Sequence, residues 1–149
     1  MLRAARQQVQ AVATKRSWSI VVFSLGGMKL AARSEDIGGV APWGQTIPVP
    51  SRTPCVGSLV KRDKEVLPVY DLASQLNRVL EGDSVLCMVA RHVDGPLAIC
   101  IDAEIPSLHN VDIGQIRPGA SRDIETLGSV EIDGEQIEIV ALKRLGKNP

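Results

Sequence analysis

The dipeptide Asp133-Gly134 constrains the fold of this chain more than any other feature, because it sets a strand register. Short β-prone runs flank it, Ser129-Val130-Glu131-Ile132 before and Glu135-Gln136-Ile137-Glu138-Ile139 after. Asp-Gly favours a two-residue hairpin turn with both central residues at positive φ. That turn places Val130 opposite Ile137 on one face and Glu131 opposite Gln136 on the other. A single register then satisfies an apolar and a polar face together. Asp94-Gly95 repeats the device and would pair Ala90 with Ile99 and Met88 with Ile101. Gly26-Gly27 closes the run Ile20-Val21-Val22-Phe23-Ser24-Leu25, with residues 28–32 as the returning strand.

Further strands follow from the same reasoning. Residues 56–60 and 66–70 read as two strands around a charged tip at residues 61–65. Pro68 sits inside the second and has no N–H to donate, so that strand should lie at an edge or carry a bulge. Residues 85–90 are apolar throughout, so both faces of that strand should be covered. Asp71 can cap a short helix over residues 72–80, with Leu72, Leu76, Val79 and Leu80 on its buried side and Gly82 as its stop. Gly38-Gly39 reads as a turn opening a segment in which four prolines, 42, 48, 50 and 54, exclude a long helix. The count is about eight to ten short strands with at most two short helical pieces. This is an all-β chain, a barrel or a sandwich.

Composition narrows the function. Lys and Arg total 17 and so do Asp and Glu, so no general field favours nucleic acid or anionic membrane. The exception is the start: residues 1–16 carry Arg3, Arg6, Lys15 and Arg16 and no acid, and read as a basic tail or a short helix. A small-barrel nucleic-acid binder with that basic arm is one alternative. With four aromatics, Trp18, Phe23, Trp43 and Tyr70, the chain is poor in base-stacking platforms. No apolar run approaches the roughly 20 residues of a membrane span, and no signal-peptide core precedes the first strand. Direct membrane insertion is therefore not expected, and a cytoplasmic location is.

The residues of a catalytic constellation do not stand out. The histidines, His92 and His109, lie in no metal-spaced cluster. The three cysteines, Cys55, Cys87 and Cys100, have no CxxC spacing, and Cys87 and Cys100 sit within apolar runs as small hydrophobes. No metal, cofactor or catalytic residue is expected. A thiol enzyme using Cys55, the one cysteine in a loop-like setting, is the enzymatic alternative.

Residues 57–72 carry a resemblance. Gly57-Ser58-Leu59-Val60-Lys61-Arg62 followed by Val66-Leu67-Pro68-Val69-Tyr70-Asp71-Leu72 resembles the central signature of CheW-like domains, the adaptor modules of bacterial chemosensory arrays. The family pattern is a Gly-Val strand, an Asn-Leu-Arg-Gly turn and a Val-Ile-Pro-Val-Ile-Asp-Leu strand entering a helix. Val22-Phe23-Ser24-Leu25-Gly26-Gly27, Glu35-Asp36-Ile37, Leu97-Ala98-Ile99-Cys100-Ile101-Asp102, Gln115-Ile116-Arg117-Pro118 and Val140-Ala141-Leu142-Lys143-Arg144-Leu145 resemble further family segments in the expected order.

The resemblance implies two packed five-stranded SH3-like barrels, with subdomain one over residues 17–80 and subdomain two over 81–149. It implies no enzymatic activity. The implied partners are the regulatory domain of a chemotaxis-type histidine kinase and the cytoplasmic tip of a methyl-accepting chemoreceptor, whose helix would enter an apolar groove between the subdomains. It implies partner-binding roles for Arg62 in the turn, for Asp36 or Glu35 as the acidic position, and for Ile37 and Val56 as apolar surface. Read without the resemblance, Arg62 is equally a solvated tip and Ile37 equally core. The turn departs from the pattern, with Asp63 at the family glycine and one extra residue, and Ala31-Ala32-Arg33-Ser34 replaces an Ile-Leu-Lys-Val run. These edits also fit a divergent adaptor of a twitching-motility or other non-flagellar pathway.

Overall fold

The computed structural model describes residues 16–42, 44, 46–52, 55–62, 64–82 and 85–146, with Arg62 described by its backbone alone. Residues 1–15, read above as tail or helix, and Asp63 lie outside the described residues.

The hairpins build the fold. β1 (Ser17–Leu25) turns through Gly26-Gly27 into β2 (Met28–Arg33), with Leu25 facing Met28. Both glycines take left-handed φ, 60° and 79°. A Cβ on Gly26 would also stand 2.5 Å from Cβ of Arg78, so glycine is needed there twice over. After a 3-10 turn, Ser34–Asp36, come β3 (Ile37–Pro42), β4 (Thr46–Pro48), β5 (Val56–Arg62) and β6 (Glu65–Tyr70). The helix α1 (Leu72–Gln75) leads to β7 (Leu86–His92), β8 (Gly95–Ile101) and β9 (Ser107–Asp112). A second 3-10 turn, Ile113–Gln115, precedes β10 (Thr126–Ile132) and β11 (Glu135–Val140), and a third, Leu142–Arg144, follows them.

The strands form two sheets, in the orders β10-β11-β2-β1-β9 and β3-β7-β8-β6-β5-β4. Each curls around its own apolar interior. The first encloses Ile20, Val22, Ala31, Val111, Val130, Ile137 and Ile139. The second encloses Val60, Leu67, Val69, Cys87, Val89 and Ala98. Alternate residues of the same strands point the other way, into a core that the two barrels share. Phe23, Leu25, Leu30 and Ala32 from the first meet Tyr70, Met88, Ala90, Ile99 and Ile101 from the second. This explains why β7 and β8 are apolar on both faces: one lines a barrel and the other the seam.

Several expectations are corrected. The sheets do not divide near residue 80. The second barrel takes strands from residues 37–101, and the first takes β1 and β2 together with β9, β10 and β11. The boundary misses because β1 finds its second neighbour in β9, some ninety residues on, and sequence adjacency carries no sign of that pairing. The second sheet also has a sixth, three-residue strand, β4. The Asp133-Gly134 hairpin has the expected pairs, Val130 with Ile137 and Glu131 with Gln136. The β7–β8 hairpin turns one residue earlier, at Val93-Asp94, so Met88 faces Ile99 and Ala90 faces Leu97. The partners thus shift by two residues, and an even shift leaves every side chain on its expected face.

Gly38-Gly39 is a bulge within β3, with Gly39 at φ 149°, and not a turn. β6 is an interior strand between β5 and β8. Its ladder to β8 begins at Val69, one residue beyond Pro68, so the missing N–H falls outside it, and the bulge lies across from it, between Val56 and Ser58 of β5. The helix at Leu72 is a single turn. Asp71 caps it by accepting from Ser74 N at 3.1 Å, and Asn77, left-handed at φ 55°, ends it. Asn77 N donates to Ser74 O and Arg78 N to Ala73 O, the paired bonds of a Schellman stop.

Candidate functional site

Two crossings carry the chain between the barrels, and a buried aspartate stands at each. The first, Ser34–Asp36, joins β2 to β3 and holds the acidic pair read from the sequence. Glu35 is exposed, and its Oε1 lies 3.2 Å from Nη1 of Arg33. The Arg33 guanidinium in turn covers the ring of Trp18 at 4.4 Å. Asp36 points inward and is 3% exposed. Lys143 Nζ lies 3.4 Å from its Oδ1, close enough for an ion pair but off the line of a hydrogen bond, so Oδ1 accepts none.

The second crossing starts at Asp102, directly after β8. Its carboxylate accepts from Ser24 Oγ at 2.8 Å, Gly26 N at 2.9 Å, Gly27 N at 2.9 Å and Glu81 N at 2.8 Å. Its own N–H donates to Ser24 O. One side chain thus binds the β1–β2 turn of the first barrel to the end of β8 in the second. Burial works to raise its pKa, but the bonds from Gly27, Glu81, Ser24 and Gly26 outweigh burial and hold it below the usual carboxylate value.

Between the barrels lies an apolar groove of about 360 Å³. Val40, Ala41 and Pro42 of β3 and Leu86 of β7 form one wall. Val21 of β1 with Ile105, Pro106 and Leu108 forms the other. Ile105 is 83% exposed and Leu108 67% exposed, more than side chains of their kind usually leave to water. A second hollow, of about 680 Å³, lies on the second barrel among Val56, Pro68, Tyr70, Pro96, Leu97 and Leu145. A third, of about 720 Å³, opens on the first barrel among Arg117, Glu131, Asp133 and Gln136 and is mainly polar.

The residues singled out from sequence are not gathered in one place. Glu35, Asp36 and Ile37 sit at the start of β3, whereas the groove is walled by its far end. Three residues of strand, roughly 10 Å, separate Ile37 from Val40, the nearest lining residue. Ile37 is half-buried against the shared core and opposite Ala90. Val56, also against that core, lines the second hollow, and three strands stand between it and Ile37 in the sheet. Arg62 ends β5 opposite Glu65, and its side chain is outside the described residues. Sequence reasoning missed Val40, Leu86, Ile105 and Leu108. Ile105-Pro106 between charged and polar neighbours was the available signal, an apolar side chain in a connection with no turn to explain it.

The alternatives also find their places. Phe23 and Tyr70 are buried, and Arg33 covers Trp18, so none of these three rings offers a stacking platform. Cys55 has a left-handed φ of 63° and packs half-buried against the shared core. Burial first and Cys55 second push the neighbouring Tyr70 hydroxyl up to about 12, and that hydroxyl donates to Gln75 Oε1. His92 accepts from Asp94 N at Nδ1, so its Nε2–H is the donor to Leu145 O at 2.7 Å. That bond ties the β7–β8 turn to the closing segment. Among the described residues no group of three or more His, Cys, Asp or Glu side chains could hold a metal ion. No helix among them is long and apolar enough to cross a membrane.

Comparison with known proteins agrees with this architecture. The family model described as "CheW-like domain" matches residues 19–148. Among solved structures the chain is similar to the scaffolding protein TtCheW from Thermoanaerobacter tengcongensis, with a TM-score of 0.71 and 19% sequence identity over 84% of this chain and 89% of that one. The likeness to that structure is one of fold, two packed SH3-like barrels. Curated proteins give no significant match.

Proposed function

The chain belongs to the CheW-like domain family, and we propose that it is a non-enzymatic adaptor coupling the cytoplasmic tip of a chemoreceptor to a chemotaxis-type histidine kinase. The observation that carries this reading is the groove between the barrels. It has one apolar wall on the second sheet and the other on the first sheet and the connection into β9, and it leaves Ile105 and Leu108 open to water. That shape suits one apolar face of an amphipathic helix, which presents side chains at i, i+3, i+4 and i+7. The receptor helix is placed there, and the kinase regulatory domain, itself of this fold, is placed at the exposed barrel surfaces. Arg62, at the β5–β6 turn, is assigned to coupling between the two partners. Glu35, Asp36, Ile37 and Val56 lie outside the groove lining and are assigned to supporting positions. The protein works in the cytoplasm, at the receptor arrays.

The test is size exclusion of the chain with a kinase regulatory domain and with a receptor-tip fragment, each at tens of micromolar. Co-elution with both is expected. Leu108→Glu places a charge on the groove wall at an exposed site, so the fold should survive. It should weaken receptor binding about tenfold or more and leave kinase binding unchanged. Equal receptor affinity in Leu108→Glu would overturn the groove assignment, and failure to elute with the kinase domain would overturn the kinase half. Arg62→Glu should reduce coupling while leaving the far-UV spectrum intact.

A further inference from the structure

Cys87 and Cys100 are direct cross-strand partners in the β7–β8 hairpin. A nearby proline identifies the kind of pair they make. Pro96 stands opposite Arg91 and has no N–H, so Arg91 and Pro96 form a non-hydrogen-bonded pair. Pair types alternate along an antiparallel ladder. Cys87↔Cys100 lies four positions further on and is therefore of the same type. In such pairs the Cα atoms stand about 4.5 Å apart, with both side chains on one face and drawn close. A disulfide needs Cα atoms roughly 4.4–6.8 Å apart. The Cα separation expected of this pair thus falls within that range, at its short end. Cys87 is buried and Cys100 half-buried, so water and small oxidants reach the pair from the Cys100 side.

We propose that Cys87 and Cys100 are a redox pair that closes reversibly into an intramolecular disulfide inside the second barrel. The oxidant, by class, is a hydroperoxide. The Cys100 sulfur attacks one peroxide oxygen, the O–O bond breaks, and the leaving oxygen departs as water or alcohol with the thiol proton, giving a sulfenic acid. The Cys87 sulfur then attacks that sulfur, the S–O bond breaks, and a second water leaves with the Cys87 proton. Two thiols lose two electrons, and the peroxide gains them. A bond formed at the short end of the permitted separation is strained and easily reduced, so exchange with a small dithiol restores both thiols.

The position gives the bond a consequence. Leu86, beside Cys87, walls the groove between the barrels, and Asp102, two residues past Cys100, clamps one barrel to the other. The cross-link pins the end of the hairpin that faces the first barrel. Burial, then Cys87, then Asp71 and Asp102 push the Cys100 thiol up to about 12. The thiolate is scarce at neutral pH, so closure is slow there and speeds up about tenfold per pH unit.

The experiment treats the full folded chain with hydrogen peroxide at pH 7 and pH 9 and follows intact mass and tryptic peptides. Cleavage after Arg78, Arg91 and Arg122 puts Cys87 in residues 79–91 and Cys100 in residues 92–122. The expected result is loss of two hydrogens, a link between those two peptides, faster formation at pH 9, and full reversal by dithiothreitol. Cys55→Ser should link as the native chain does, and Cys100→Ser should not link. Cys100→Val takes its place if the serine variant does not fold. A link through Cys55, or Cys100 oxidised to sulfinic acid without any link, would overturn the proposal. So would a link that forms only in the urea-unfolded chain.

Discussion

The two barrels follow one plan from different starting points in the chain. In the second, a lone strand, β3, is followed by the hairpins β5–β6 and β7–β8; β6 and β8 pair in parallel, and β3 flanks β7. In the first, the lone strand β9 is followed by the hairpin β10–β11, and the hairpin β1–β2 completes the set; β11 and β2 pair in parallel, and β9 flanks β1. The first barrel is the second with its strand order cyclically shifted. The exits match as well: Asp71 after β6 has φ −87° and ψ 75°, and Ala141 after β11 has φ −81° and ψ 78°, each leading into one helical turn. The comparison teaches that the spatial arrangement of two hairpins and a flanking strand specifies this barrel. An unbroken chain is not required. Continuity does change how the barrel forms, since β1 and β9 must meet across all of the second barrel, and distant pairings carry the larger loop-closure cost.

Three substitutions probe that contrast. The largest effect is expected from Phe23→Ala. Phe23 is 1% exposed in the shared core, and its loss should cost about 3–5 kcal/mol. Because both barrels pack on it, hydrogen exchange should show them losing protection together. Protection lost in the first barrel alone would mean that the barrels unfold as separate units.

Asp102→Asn comes next, at about 2–3 kcal/mol near neutral pH, because four donors lose a charged acceptor. The pH dependence has a definite sign. The folded carboxyl titrates below its unfolded value of about 3.9. Its contribution is therefore complete above that value and lost as pH falls through the lower, folded one. Urea midpoints measured from pH 7 down to pH 3 should converge between native chain and variant. A constant gap over that range would show that the bonds act without the charge.

The smallest effect is expected from Ile137→Val, about 1 kcal/mol, in the interior of the first barrel only. It should lower protection in β10 and β11 before β7 and β8. Uniform loss would show that the discontinuous barrel is no more independent than the continuous one.

Much of this was open to sequence reasoning, at the level of hairpins. Asp133-Gly134 carried its register outright, because both residues take positive φ, 51° and 81°. Asp94-Gly95 carried the faces but not the partners. Gly95 spends its positive φ of 117° as the first residue of β8, and the turn falls on Val93-Asp94. Residue patterns could not show which hairpins become neighbours, since parallel contacts such as Val69 with Ala98 involve two residues of each strand and leave no local trace. The groove was hidden for a related reason. Val21, Val40, Leu86 and Leu108 each look like an ordinary strand residue and become a site only where four separate strands meet. Asp102 was visible merely as the acid ending a strand, and its four donors come from segments that nothing in the sequence links to it.

The placement of the buried aspartates defines a cassette. The second barrel leaves the first at Asp36 and returns to it at Asp102, so residues 36–102 are an insert that carries a charged seam at each end. Exchange of this insert between related chains has a compatibility rule. The host must supply Ser24 and the two turn glycines at one seam and Lys143 at the other. A graft that moves a carboxylate without its donors strands a charge between two barrels that are each well packed, so chimaeras should fail at the seams and not in the cores.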